Sequence, residues 1–135
     1  HSEGLLLLTN DGEFANLILT GGGRVPKTYL VKINGNPDEE ALRKFREGIP
    51  LNGRRTAPAQ IRRTQPGVNP WFEVTLVEGR QNQIRRMFQR LGFLVEKLKR
   101  VRIGPLELGP LGPGEFRHLT EREVARFYRA AGRAP

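Results

Sequence analysis

Between residues 27 and 33 the chain alternates in strand fashion, with Tyr29, Val31 and Ile33 on one side and Thr28, Leu30 and Lys32 on the other. A helix follows: Asn36 as cap, Pro37 at the first helical position, Glu39 completing the cap and Gly48 as the stop. Its apolar stripe is Leu42, Phe45 and Ile49, with Glu40–Lys44 and Glu39–Arg43 spaced for ion pairing on the wet side. Residues 59–64 and 71–77 read as two strands joined by a turn-rich connection, and Trp71, a candidate for aromatic stacking, stands at a strand start where a large aromatic is more often core. From Asn82 to Leu91, Ile84, Met87, Phe88 and Leu91 recur at helical spacing and Gly92 is placed to cap the end. Residues 94–103 are extended, with a shorter extended piece at 106–108. Thr120 and Glu123 form a capping box before the stripe Val124, Phe127, Tyr128 and Ala131, with Gly132 after it.

Near the start, Gly4 to Thr9 reads as a fully buried strand, an unusual opening that suggests a chain truncated or processed upstream. Asp11 then caps a helix carrying Phe14, Leu17 and Ile18, which stops at Gly21-Gly22-Gly23. Strands and helices intersperse without a regular βαβ repeat. The expected class is α+β, a mixed, largely antiparallel sheet with flanking helices, in one domain over residues 1–135.

Composition narrows the chemistry. The 135 residues contain no cysteine, so disulfides, thiolate metal sites and a cysteine nucleophile are excluded. Two distant histidines, His1 and His118, make no metal site, and the sole serine, Ser2, belongs to no serine–histidine–acid set. No run approaches a membrane span and no signal-peptide pattern precedes it, so a cytoplasmic protein is expected. Residues 21–28 glance at a phosphate-binding loop, but Pro26 stands where the glycine before the Lys-Thr pair belongs and offers no N–H to a phosphate.

The net charge of +9 is concentrated. Residues 79–102 hold Arg80, Arg85, Arg86, Arg90, Lys97, Lys99, Arg100 and Arg102 against the single acid Glu96, +7 of the total. On the helical wheel Arg86 and Arg90 fall away from the apolar stripe and Arg85 on its boundary, where packing can steady a guanidinium against an acid or a phosphate. Gly79 permits close approach of backbone to a ligand. Such a segment favours a polyanion, nucleic acid before an anionic membrane, because the basic helix presents a core stripe rather than a lipid-facing strip. A second cluster, Arg54-Arg55 with Arg62-Arg63, either lines the same groove or solubilises a loop.

Four stretches together carry a resemblance: residues 2–12 (Ser-Glu-Gly-Leu-Leu-Leu-Leu-Thr-Asn-Asp-Gly), Pro26-Lys27-Thr28-Tyr29, residues 78–88 (Glu-Gly-Arg-Gln-Asn-Gln-Ile-Arg-Arg-Met-Phe) and residues 98–104 (Leu-Lys-Arg-Val-Arg-Ile-Gly). In that order they resemble the bacterial ribosomal-RNA pseudouridine synthases of the RsuA type, over nearly the whole chain. The resemblance implies the catalytic-domain fold of that family, normally preceded by a small S4-like RNA-binding domain. It implies isomerisation of a uridine in ribosomal RNA without a cofactor or metal, the target base being flipped into a pocket, and a monomer as the working form. Tyr29 then matches the tyrosine that stacks on the base and moves a proton, Arg85 the basic partner of the nucleophilic aspartate, and Leu98 an apolar wall of the pocket. Lys27, Arg80, Asn82, Gln83, Arg86, Arg90, Lys99, Arg100 and Arg102 make up the implied RNA-binding set. The family's aspartate, in its Arg-Leu-Asp triplet, falls two positions before His1; Asp11 belongs to the Thr-Asn-Asp-Gly turn. The expectation is therefore a parent enzyme whose 135-residue segment binds RNA but is inert, the alternative being a non-catalytic RNA-binding module. The stretch 104–116 inclines the target toward the large subunit.

Overall fold

A computed structural model of the chain describes residues 2–20, 25–65 and 70–130. The main sheet holds β1 (Ser2–Gly4), β2 (Lys27–Asn34), β5 (Gln60–Gln65), β6 (Trp71–Leu76), β7 (Leu94–Ile103) and β8 (Leu106–Glu107). Its order is β1-β7-β2-β6-β5, with β8 paired to β7. The β1–β7 pair is parallel and the other pairs are antiparallel, so the sheet is mixed and largely antiparallel. Four helices flank it: α1 (Gly12–Thr20), α2 (Glu39–Glu47), α3 (Gln83–Arg90) and α4 (Glu121–Ala130). A separate hairpin, β3 (Pro50–Leu51) with β4 (Arg54–Arg55), has no counterpart in the sequence reading. Its two-residue turn is Asn52-Gly53, with φ 53° and 77°, the left-handed pair a tight hairpin turn requires.

Two apolar clusters stabilise the domain. The larger joins Val31 and Ile33 of β2, Phe72 and Val74 of β6, Leu42 and Phe45 of α2, and Ile84, Met87 and Phe88 of α3. Phe88 stands with its ring 4.8 Å from that of Phe45. The smaller gathers Leu5, Phe14, Leu17, Val25, Ile103, Leu106, Phe127 and Tyr128, with Phe14 edge-on to Phe127 at 5.4 Å.

Caps follow the local chemistry. The Oδ1 of Asp11 accepts from the amides of Glu13 and Phe14. Thr120 and Glu123 exchange both bonds of their capping box. Past α3, Gly92 at φ 94° lets its own amide and that of Phe93 reach the carbonyls of Gln89 and Phe88. The expected stop at residues 21–23 and the positions Ala131 and Gly132 lie outside the described residues.

Several expectations fail for identifiable reasons. The cap of α2 is Asp38, whose Oδ1 takes the Ala41 amide at 2.9 Å; Asn36 Oδ1 instead accepts from Arg63. Arg43 bridges Glu40 and Glu47, and Arg46 approaches Glu39, in place of the pairs read from spacing. The expected strand 4–9 ends at Gly4. There φ is 120°, and a Cβ would stand 2.3 Å from the Arg100 carbonyl. Leu5 keeps one ladder bond to that carbonyl, after which its own carbonyl takes Arg100 Nε and the chain leaves the sheet. Leu5 is buried but Leu6 and Leu8 are exposed, so the leucine run is not a core strand. Trp71 is half-exposed beside the fully buried Phe72, on the sheet face turned away from the larger cluster.

Candidate active site

A cleft of about 370 Å³ opens between the two apolar clusters, in the size range of sites for small ligands. The larger cluster supplies Tyr29, Leu76, Ile84 and Leu98 to its walls, and the smaller supplies Leu5. Glu3, Gly4 and Leu6 close one side; Gly79, Arg80, Asn82 and Gln83, leading into α3, close another. Register explains the convergence. Tyr29 lies opposite Arg100 and Val31 opposite Leu98 across the β2–β7 ladder, so tyrosine, leucine and arginine share one face.

The cleft is electropositive. Lys27 lies two residues before Tyr29 on the same face, and its pKa is lowered by burial and then by repulsion from Arg100. Arg100 is anchored through Nε to the Leu5 carbonyl at 2.8 Å, and its Nη groups have no partner among the described residues. Asn82 adopts a left-handed conformation at φ 53°, a costly one for a residue other than glycine, and its side chain makes no cap bond to the helix. Gly79 meets no atom within 4 Å of where a Cβ would stand, so packing within the chain does not demand a glycine there.

Within the implied RNA-binding set, Arg80 and Gln83 are engaged internally at the rim of the cleft. The Arg80 guanidinium donates to the carbonyls of Leu51, Arg54 and Arg55 at 3.3, 3.0 and 2.8 Å, and pins the β3–β4 hairpin to the approach of α3. Gln83 is buried; its amide donates to Glu78 and its carbonyl oxygen accepts from the Arg80 amide. Glu78 Oε1 also receives the Ala57 amide at 2.8 Å. Glu78, Arg80 and Gln83 thus brace the rim, where the sequence reading has two RNA contacts and misses the acid. A buried donor needs an acceptor, and the nearest carbonyls belong to a hairpin that local patterns did not reveal.

The basic segment does not form one groove. Arg80 and Arg100 line the cleft, whereas Arg85, Arg86 and Arg90 on α3 lie outside its lining. Arg85 Nη1 donates to the Val95 carbonyl at 3.4 Å. Lys99 and Arg102 alternate to the opposite face of the sheet, level with Leu30 and Thr28. The second cluster also divides: Arg62 is held by Glu73, and Arg63 by Asn36 and Pro37 over the Phe72 ring. Arg55 donates to Gly48, while Arg54 is exposed at the hairpin. Among the described residues no group of His, Asp and Glu could hold a metal ion, and no helix is long and apolar enough to cross a membrane.

The cleft, walled by Tyr29 and lined by Arg80 and Arg100, lies on a mixed sheet with one parallel edge pair. The family model described as RNA pseudouridylate synthase matches residues 1–90, and the chain belongs to that family. It is 41% identical over 133 residues to an uncharacterized RNA pseudouridine synthase of Aquifex aeolicus, covering 98% of this chain and 53% of that protein. It is 43% identical over 132 residues to the ribosomal large subunit pseudouridine synthase B of Bacillus subtilis, covering 93% of this chain and 53% of that protein. A crystal structure of a pseudouridylate synthase superposes with a TM-score of 0.79 at 34% identity, over 88% of this chain and 52% of that one. The chain therefore spans about half the length of the curated relatives it matches.

Proposed function

We propose that this domain carries the active site of a protein that isomerises a uridine of ribosomal RNA to pseudouridine. The uridine is flipped out of its stack into the cleft, against Tyr29 and the apolar wall of Leu98. The N1–C1′ bond breaks and a C5–C1′ bond forms; the proton on C5 is released and N1 gains one, so the reaction needs no co-reactant. Tyr29 stacks on the base and its hydroxyl moves a proton. Lys27 and Arg100 at the rim meet the phosphates, and Asn82 offers an amide to the base or its sugar. The B. subtilis relative, named for the large subunit, supports large-subunit RNA as the substrate.

The nucleophile of this reading is the aspartate two positions before His1. The observation that carries it is the parallel register of β1 on β7. Ser2 pairs with Leu98, Glu3 with Lys99 and Gly4 with Arg100. The direction of β1 points the chain upstream of Ser2 toward the end of β7 that holds Val95, whose carbonyl Arg85 contacts. Arg85 is thus within reach of an incoming carboxylate and can hold it ionised. Glu3 is the acidic residue among those that line the cleft.

Tritium release from 5-tritiated uridine in ribosomal RNA tests the reading. The 135-residue chain binds RNA without releasing tritium. Extension through the upstream triplet restores release, and Asn in place of the restored aspartate abolishes it with binding kept. Robust release by the 135-residue chain, abolished by Glu3→Gln or Asp11→Asn, would assign the chemistry to an acid within it. In the extended protein Tyr29→Phe keeps most binding but loses turnover, while Tyr29→Ala also loses about 1–3 kcal/mol of binding.

A further inference from the structure

The sheet face turned away from α2 and α3 carries lysines that form no ion pair among the described residues. Lys32 lies between the fully buried Val31 and Ile33 and so stands on the opposite side. Its partner across the β2–β7 ladder is Lys97, and Lys99 follows on the same face opposite Leu30. Across the β2–β6 ladder Lys32 pairs with Trp71. Like charges directly opposite on a sheet are destabilising. The neighbouring arginines on this face are neutralised, Arg62 by Glu73 at 3.0 Å and Arg102 by Glu107 at 3.3 Å. Among the described residues no carboxylate forms an ion pair with Lys32, Lys97 or Lys99, not even Glu3, which is in register with Lys99.

We propose that this row binds a single-stranded RNA segment outside the cleft, with a base stacked on Trp71 and its phosphates on Lys32, Lys97 and Lys99. Adjacent strands lie about 4.8 Å apart, so the indole and the first ammonium stem are neighbours and the second is one strand further on. An aromatic platform beside a line of cations is the combination that holds single strands without reading their sequence. An acidic polypeptide would meet the lysines but has no flat base for the indole. The proposal rests on the reading of the chain as an RNA-acting domain and adds a second contact surface to it, on the reverse of the sheet that forms the cleft.

Trp71 is the sole tryptophan of the chain, so its emission reports on this face alone. Poly(A), which has no uridine to enter the cleft, quenches that emission when titrated into the 135-residue chain, and salt reverses the quenching. Combining Lys32→Gln, Lys97→Gln and Lys99→Gln makes the log–log salt slope shallower by about 2, at about 0.7 for each phosphate contact removed. Unchanged Trp71 emission at saturating poly(A) overturns the proposal, as does an unchanged slope in the triple variant. Equal quenching by poly(glutamate) overturns it in favour of an acidic polypeptide. Failure of uridine isomerisation in the extended protein, with the quenching intact, removes the reading of the cleft and leaves this surface standing.

Discussion

On β2, Val31 and Ile33 are fully buried against residues of α2 and α3, while Lys32 between them is half-exposed on the other side of the same strand. Near the covered face the Arg80 Nη groups are engaged by three carbonyls and Gln83 by Glu78 and the Arg80 amide, while Arg80 Nε is buried 3.7 Å from Glu78 with no hydrogen bond. On the other face, among the described residues, no acid forms an ion pair with Lys32, Lys97 or Lys99. A buried guanidinium or amide must find partners within the chain or be costly, whereas a lysine in water bears no such obligation. Charge in the sequence therefore marks two different things, braces where the side chain is covered and cations without an ion pair where it is not.

Substitutions break that comparison at different depths. Phe88→Ala, in the covered core against Phe45 and Phe72, should lower stability by about 3–5 kcal/mol in urea denaturation. Lys97→Gln on the opposite face should stay within about 0.5 kcal/mol of the parent, and a large loss there would mean that the face is packed. Arg80→Ala should cost about 1.5–3 kcal/mol, since it strips a charged donor from three carbonyls. Arg80→Lys should recover little of it, because an ammonium lacks the planar fork. Hydrogen exchange concentrated at residues 50–55 in the Ala variant would locate the damage in the hairpin.

Lys27 gives a smaller effect with a definite sign. Its folded pKa is lowered by burial and by Arg100, so the protonated form opposes folding, and the penalty is relieved as pH rises past the folded value. Lys27→Met should raise Tm at neutral pH and flatten the alkaline rise, while weakening RNA binding if the lysine meets a phosphate.

The smallest effect belongs to Glu123, whose carboxyl is held at about 2, first by its bond from Arg117 and then by the Thr120 amide. A lowered folded pKa stabilises above the ordinary glutamate range, and that contribution disappears as pH falls toward 2. Glu123→Gln should flatten the acid limb of Tm against pH. An unchanged limb would show that the exposed pair is screened to nothing.

Elements governed by neighbours in sequence were legible. The stripe of α3, its Gly92 stop and the Thr120–Glu123 box follow from helical periodicity and from orphan amides that nearby side chains satisfy, and β7 emerged with its observed bounds. Tyr29, Leu98, Asn82 and Arg100 were singled out through motif order, and all four line the cleft. The α2 cap was misread because Asn36 and Asp38 have similar capping strength, and the choice depended on Arg63, far along the chain.

The sequence by itself determined the class of fold, the helices with their caps, the concentration of charge and the family. These depend on periodicity, on short-range hydrogen bonding and on motif order, all carried within a few turns of chain. Tertiary structure alone decided which side of the sheet each cation faces, because facing depends on ladder register and on bulges, such as the shift between Thr28 and Tyr29 opposite β7. It also made Arg80 the clasp of a hairpin, since carbonyls about 25 residues away in sequence are invisible until the chain folds them alongside.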